Sequence, residues 1–283
     1  VATCNAIKYC NADPLFIDID LEDLSLSPKA MEDFLEKNCF LDDSKNCINK
    51  ISGKIIKACV LVHVFGNPAK SEDINKICND WNLHLVEDCA ESLGSKKHNK
   101  HTGLAGIASC FSFNGNKIIT SGGGGMVITN NKKLAKSIKH KSTTAKKNHR
   151  WEYIHDTIGF NYRMPNINAA LLCAQFRNIE KIILNKRKTA LEYENFCKKN
   201  DVNFFKESKN SRSNYWLNAI SFDSASQKKD FLEISNKDGV MTRPLWLPMY
   251  ELKMFKNCIR YNIENANVAY NTFVNIPSSY RDT

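Results

Sequence analysis

Lys117 stands in the stretch SFNGNKIITSGGGG, after Ser112 and ahead of four consecutive glycines, Gly122–Gly125. A lysine that attacks a carbonyl must shed its proton near neutral pH, and burial or a neighbouring cation lowers its pKa enough to allow this. Glycines beside it let the backbone approach a bound group closely or adopt positive φ. In a chain with 40 lysines and arginines, the same residue also reads as a surface lysine beside a flexible hairpin. Asp88 ends the apolar segment LHLVED. A carboxylate at a strand end can keep a heterocyclic nitrogen protonated and so make its ring an electron sink. It can equally cap a helix or face solvent. Asn161 and Arg163 lie in GFNYRMPNINAA, ahead of a long helical pattern. Polar groups at such a junction bind phosphate, bridge subunits or simply cap the helix that follows.

These residues need strands and loops to hold them. PLFIDID (14–20) reads as a buried strand, and Ser27-Pro28 as the cap and first residue of a helix. IIKACVLVHVFG (55–66) is a continuous apolar run closed by Gly66-Asn67-Pro68, the pattern of a central parallel strand. Ser71 reads as the cap of the next helix, whose Ile74, Ile77, Cys78 and Trp81 share one face. LHLVED, IASCFSF and GMVITN read as further strands, and KKLAKSIKH as a short helix. Strand, helix, strand in this order predicts a mostly parallel sheet, with ligands at the carboxyl ends of its strands. Asp88, the turn after Val64 and Lys117 all fall there. Residues 168–200 read as one long helix. The tail alternates short strands (YWLNAISF, VMTRPLW) with the helix SQKKDFLEISNK, a smaller α+β unit. The expected division is 1–165 and 166–283.

The net charge of +10 comes from scattered lysines; the densest cluster, Lys141 to Arg150, includes Lys146, Lys147 and His149. No stripe of basic and aromatic residues marks a nucleic-acid surface, so no nucleic-acid partner is expected. No apolar run is long enough for a membrane helix, and no membrane partner is expected. The eleven cysteines are spread along the chain with no C-x-x-C pair. They read as small core residues of a reduced, cytoplasmic protein, and they make no metal-ligand spacing with the seven histidines.

Taken in order, VATCNAI…ADPLFIDID, HVFGNPA…VEDCAESLGS, SFNGNKIITSGGGGMVITN, IGFNYRMPNINAALLCAQ and VNIPSS resemble the DegT/DnrJ family of sugar aminotransferases along nearly the whole chain. The resemblance implies an α/β protein: a large, mostly parallel-sheet domain of the aspartate-aminotransferase type (fold type I) that binds pyridoxal 5'-phosphate, plus a smaller C-terminal α+β domain. It implies that Lys117 carries the cofactor and acts as the catalytic residue. It places Asp88 on the pyridine nitrogen, Glu91 near the 3-hydroxyl and Ser112 on the phosphate. Asn161 is expected to reach the phosphate from the partner subunit, which makes a homodimer the working unit. TTAKKNHRWEYIHDTIGFNYRMPNINAA, NYWLN and GVMTRPLW resemble the branch that makes legionaminic-type sugars.

The implied reaction moves an amino group from L-glutamate, leaving 2-oxoglutarate, to carbon 4 of a nucleotide-linked 4-keto-6-deoxy-N-acetylhexosamine. His149, Arg150 and Arg243 are candidates for the nucleotide diphosphate. The family's phosphate-cradling Gly-Thr pair would lie upstream of Val1, so the chain is expected to lack the front of the fold. A dehydratase of the same family would have histidine in place of Lys117. A catalytically impaired relative that only binds a sugar nucleotide is the remaining alternative.

Overall fold

The computed structural model of the chain describes residues 1–281. Its main sheet is built from the apolar runs that separate the polar segments. The strands are β1 (Ala58–Val62), β2 (His84–Asp88), β3 (Ala108–Ser112) and β4 (Gly125–Ile128), in the spatial order β4-β3-β2-β1. The β1–β2 and β2–β3 pairs are parallel, and β3–β4 is antiparallel. Val62 sits opposite Asp88, and Asp88 opposite Cys110, so three strand ends meet at one edge. Ligands of parallel sheets bind at this edge. The fold class is α/β, as the sequence predicts.

Among the helices, α1 (Ala2–Tyr9) brings its first turn to Asp88, and α2 (Pro28–Asn38) is capped by the Ser27 hydroxyl, which accepts from Ala30 N–H. α3 (Ser71–Asp80) crosses between β1 and β2 and buries Ile74, Ile77 and Cys78. α4 (Lys132–Ser142) follows β4. α5 (Asn166–Phe176) and α6 (Ile179–Lys199) lead to a second sheet. That sheet is antiparallel: β5 (Asn203–Phe204), β6 (Asn218–Ser221), β7 (Arg243–Pro244) and β8 (Phe273–Ile276), ordered β5-β6-β8-β7. It packs with α7 (Ala225–Lys237) and α8 (Glu264–Thr272). One hydrophobic cluster runs from Phe65, Cys89 and Phe111 through Ile183 to Trp216, Ala219 and Phe273, joining the two sheets. Among the described residues, no helix is long and apolar enough to cross a membrane.

Four local readings change. In PLFIDID only Phe16–Ile17 is strand, and it pairs with Arg260–Tyr261 outside the main sheet. The Asp18 carboxylate explains the early end: it accepts the N–H groups of Asn265 and Ala266 in the first turn of α8, at 2.9 and 2.8 Å. Charge of that sign at a helix N-terminus is favourable. Ser71 does not cap α3. Lys70 holds the cap position without a side-chain bond, and Glu72 and Asp73 supply the first-turn charge. The expected 168–200 helix breaks at Arg177-Asn178, where the Asn178 amide turns back to the Ala174 carbonyl, 3.1 Å away. Such side-chain bonds compete with the helical ladder. Finally, β1 lies at the edge of the sheet with only Leu61 fully buried, although its unbroken apolar run predicts a central strand.

Candidate active site

Lys117 lies in the loop between β3 and β4. Its own N–H donates to the Asn114 carbonyl at 3.1 Å, closing a tight turn. Ile118 and Ile119 next to it are buried. α5 fixes the end of the loop: Thr120 N–H donates to Gln175 Oε1 at 2.8 Å, and the Asn168 amide donates to the Ser121 carbonyl. These anchors turn the lysine inward, and its side chain is 14% exposed. Nζ stands 3.7 Å from Glu91 Oε1 and 4.0 Å above the centre of the Trp216 ring. A cation over an indole face is a favourable contact, worth about 1 kcal/mol or more when desolvated.

Glu91 follows β2 and is buried to a similar degree, 13% exposed. Its second oxygen accepts the Phe65 N–H at 2.8 Å. That N–H is aimed by the turn after β1, where Phe65 takes a left-handed conformation (φ 57°, ψ 14°). Burial pushes Glu91 up to about 7. Lys117 and the Phe65 N–H oppose the rise, and Asp88 adds to it. Asp88 itself ends β2. One of its oxygens accepts Ala90 N–H, and the other accepts the Thr3 hydroxyl of α1 at 2.7 Å.

Trp216 is held from both ends. Its indole N–H donates to the Asn116 carbonyl at 2.6 Å, and its backbone N–H to Asn214 Oδ1 at 2.8 Å. Asn214 is fully buried, and its amide donates to the carbonyls of Glu91 and Leu93. The Ser95 and Ser213 hydroxyls both donate to the Gly66 carbonyl, and Asn214 N–H donates to Ser95. A side chain on Gly66 is excluded: its Cβ would lie 1.9 Å from Asn214 Oδ1, and φ there is +90°. Three loops, after β1, after β2 and before β6, are thus tied into one polar knot beneath Lys117.

Behind the knot, Glu87 and His63 form a buried pair at 3.1 Å. His63 Nδ1 accepts Ala69 N–H, which leaves the proton on Nε2, pointing at Glu87. Burial alone would raise Glu87. The His63 bond and the N–H groups of Gly106 and Ala105 outweigh burial and hold the carboxyl at about 2. Cys89 completes a trio with these two residues. The imidazole and carboxylate lone pairs are already engaged by protein donors, so the trio serves packing and loop geometry.

The remaining candidates lie elsewhere. Ser112 ends β3, half-buried, and its hydroxyl accepts Asn114 N–H at 3.3 Å. Asn161 is exposed and bridges by its backbone to Thr143, with no contact to Lys117. His149 and Arg150 are exposed, and His149 Nδ1 accepts Glu152 N–H. Arg243 donates to Asn236 and to the Thr242 carbonyl at the edge of the second sheet. Three residues on, Trp246 stacks on Trp216 with centroids 6.3 Å apart and also meets Phe65. Thr3, Phe65, Asn214 and Trp246 were not singled out from the sequence. NYWLN drew notice only as a resemblance, because its partners lie about a hundred residues away.

Known proteins resemble this chain along its length. A model of the "DegT/DnrJ/EryC1/StrS aminotransferase family" matches residues 1–281. GDP-perosamine synthase from Escherichia coli O157:H7 is 37% identical over 90% of this chain. GDP-perosamine synthase from Vibrio cholerae is 31% identical over 98%. The chain spans 65% of the first relative's length and 72% of the second's. The solved structure of Helicobacter pylori PseC, an aminotransferase involved in the biosynthesis of pseudoaminic acid, superposes with a TM-score of 0.86. It is 26% identical and covers 98% of this chain and 71% of its own.

Proposed function

This chain belongs to the DegT/DnrJ/EryC1/StrS aminotransferase family, and from that premise we propose that it transfers an amino group from L-glutamate to a keto carbon of a nucleotide-linked sugar, using pyridoxal phosphate on Lys117. The observation that carries the proposal is the Lys117 cup: a largely buried amine between Glu91 and Trp216, at the sheet edge where Asp88 ends β2.

Pyridoxal phosphate is the cofactor of this family. The groups present fit it. Lys117 Nζ suits its aldehyde, the Asp88 carboxylate its basic ring nitrogen, and the Ser112 hydroxyl, whose hydrogen is uncommitted, its phosphate. When bound, the cofactor supplies an electron-withdrawing ring that accepts the charge left when a proton departs the donor's α-carbon. The chain's own residues do the rest. Lys117 holds the cofactor and then, freed, carries the proton between carbon centres as an amine. Asp88, oriented by Thr3 and Ala90, holds the ring proton in place. Trp216 covers one side of the amine, and the Asn214 knot fixes both Trp216 and Glu91, keeping bulk water off the lysine.

The finer parts of the proposal have weaker supports, each on the page. Relatives named as GDP-perosamine synthases support a nucleotide-linked sugar, and one from Campylobacter jejuni named as a UDP-4-amino-4,6-dideoxy-N-acetyl-beta-L-altrosamine transaminase supports amination at carbon 4 of a dideoxy sugar. The legionaminic-type substrate is our reading within that group. A homodimer is supported by apolar surface in the 143–165 arm, where Trp151, Tyr153, Ile158 and Tyr162 are exposed around Asn161. We assign His149, Arg150 and Arg243 to the diphosphate, and residues 1–165 and 166–283 to large and small domains. Cytoplasmic residence fits the eleven unpaired cysteines.

The test is transfer of ¹⁵N from labelled glutamate to a panel of nucleotide-linked 4-keto sugars. Label should reach carbon 4 of at least one sugar with the wild-type protein and of none with Lys117→Ala. Transfer that survives in Lys117→Ala would remove the lysine from the reaction.

A further inference from the structure

Glu91 and Lys117 form the most secluded oppositely charged contact at the site. The carboxylate has one oxygen committed to Phe65 N–H, which leaves Oε1 facing the amine. From the other packed elements, Trp216 presents an indole face, and β2 presents Asp88, which carries the same sign as Glu91. Among the described residues near it, Lys117 is the one cation that bears on Glu91.

We propose that Glu91 and Lys117 hold one proton between them, the carboxyl taking it whenever the lysine nitrogen is uncharged. In the step, an Nζ–H bond breaks and an O–H bond forms on Glu91. The pair is neutral before, as ammonium and carboxylate, and neutral after, as amine and acid. Both alternatives are physically balanced. A buried carboxylate without a cation is strongly disfavoured and titrates upward. Glu91 already sits at about 7 with Lys117 pulling it down, so removing the ammonium leaves burial, the largest cause, and Asp88 favouring protonation against the Phe65 N–H bond alone. At 3.7 Å the two atoms exchange the proton once the lysine side chain closes to hydrogen-bond distance or one water bridges them, and the step gives Lys117 a route to the neutral amine that attacks a carbonyl. That use rests on the function proposed above; the shared proton does not.

The experiment uses cofactor-free protein. Lys117 is pulse-acetylated with acetic anhydride from about pH 6 to about pH 10 and read by peptide mass spectrometry. Glu91→Gln removes the negative charge but keeps the shape. Its Lys117 should become reactive at a pH lower by about one unit or more, because an opposite charge within 4–6 Å normally favours the ammonium by that much. Superimposable profiles would overturn the proposal. A second arm does not depend on the folding of Glu91→Gln. Infrared spectra of Lys117→Met at about pH 8 should show a protonated-carboxyl band that ¹³C-glutamate labelling shifts. No such band would also overturn it. If both arms succeed while ¹⁵N transfer fails, the shared proton stands and the proposed function falls.

Discussion

The Lys117 cup and the 143–165 arm are neighbours in sequence and opposites in physics. In the cup, the polar atoms of Asn214, Ser95, Ser213 and the Trp216 indole find partners inside the chain. The arm holds its shape with a few backbone bonds, such as Thr144 N–H to the Phe160 carbonyl, and turns Tyr153, Ile158 and Tyr162 to solvent. α5, which follows, has no fully buried residue and exposes Ile167, Leu171 and Phe176. The contacts around Lys117, Glu91 and Trp216 are made within this chain. The arm carries apolar surface of the kind that another surface covers. The polar bonds are therefore concentrated around the lysine, and the exposed apolar side chains on the arm.

The contrast can be broken most sharply at Asp88. Asp88→Asn keeps the bond from Thr3 but cannot hold a ring proton, and turnover of labelled glutamate should fall by about 100-fold or more. A near-normal rate would show that the strand-end carboxylate is only structural. Next is Gly66→Ala, which forces a methyl into Asn214 and strains a left-handed residue. It should cost about 3 kcal/mol in chemical denaturation. An unchanged midpoint would mean the knot is looser than its bonds indicate.

A pH series gives a smaller effect. Glu91 is raised from its ordinary value to about 7, so the folded state binds the extra proton between those limits. Stability should therefore fall as pH rises from about 4.5 to about 7, by roughly 3 kcal/mol, and Glu91→Gln should flatten that slope. A parallel slope in both proteins would exclude Glu91 as its source. Glu87 runs the other way. Held at about 2, it adds stability above its ordinary pKa that is lost as pH falls through the folded value. The smallest effect belongs to the arm. Tyr153→Ser should change unfolding free energy by no more than about 0.5 kcal/mol, while sedimentation shows weaker self-association. A large loss of monomer stability would erase the distinction between the two regions.

Local signals carried much of this into the sequence. Asp88 and Lys117 sit in short motifs at strand ends, where period and position already point to a ligand edge, and Glu91 entered through the family resemblance. The parallel order of β1, β2 and β3 followed from apolar runs separated by turns. What stayed hidden depends on long-range closure. Asp18 reads as part of a strand until α8 arrives nearly 250 residues later to claim its carboxylate. Asn214 reads as the approach to the expected strand YWLNAISF, which the structure confines to 218–221, and Trp216 as one of its first residues, because Glu91, Leu93 and Asn116 are far away in the chain. The break in the 168–200 helix turned on one asparagine amide, which periodicity does not register.

Trp216 also gives the cup an optical property. A buried indole with a charge on its face emits to the blue, and its yield follows that charge, so the light from Trp216 changes whenever Lys117 gains, loses or shares its proton. Trp151, 72% exposed on the arm, emits to the red and is dimmed by aqueous quenchers that do not reach Trp216. Trp81 and Trp246 add light of their own, and Trp246 stacks on Trp216, so with those two replaced by Phe a single emission spectrum registers the state of the lysine separately from the covering of the arm.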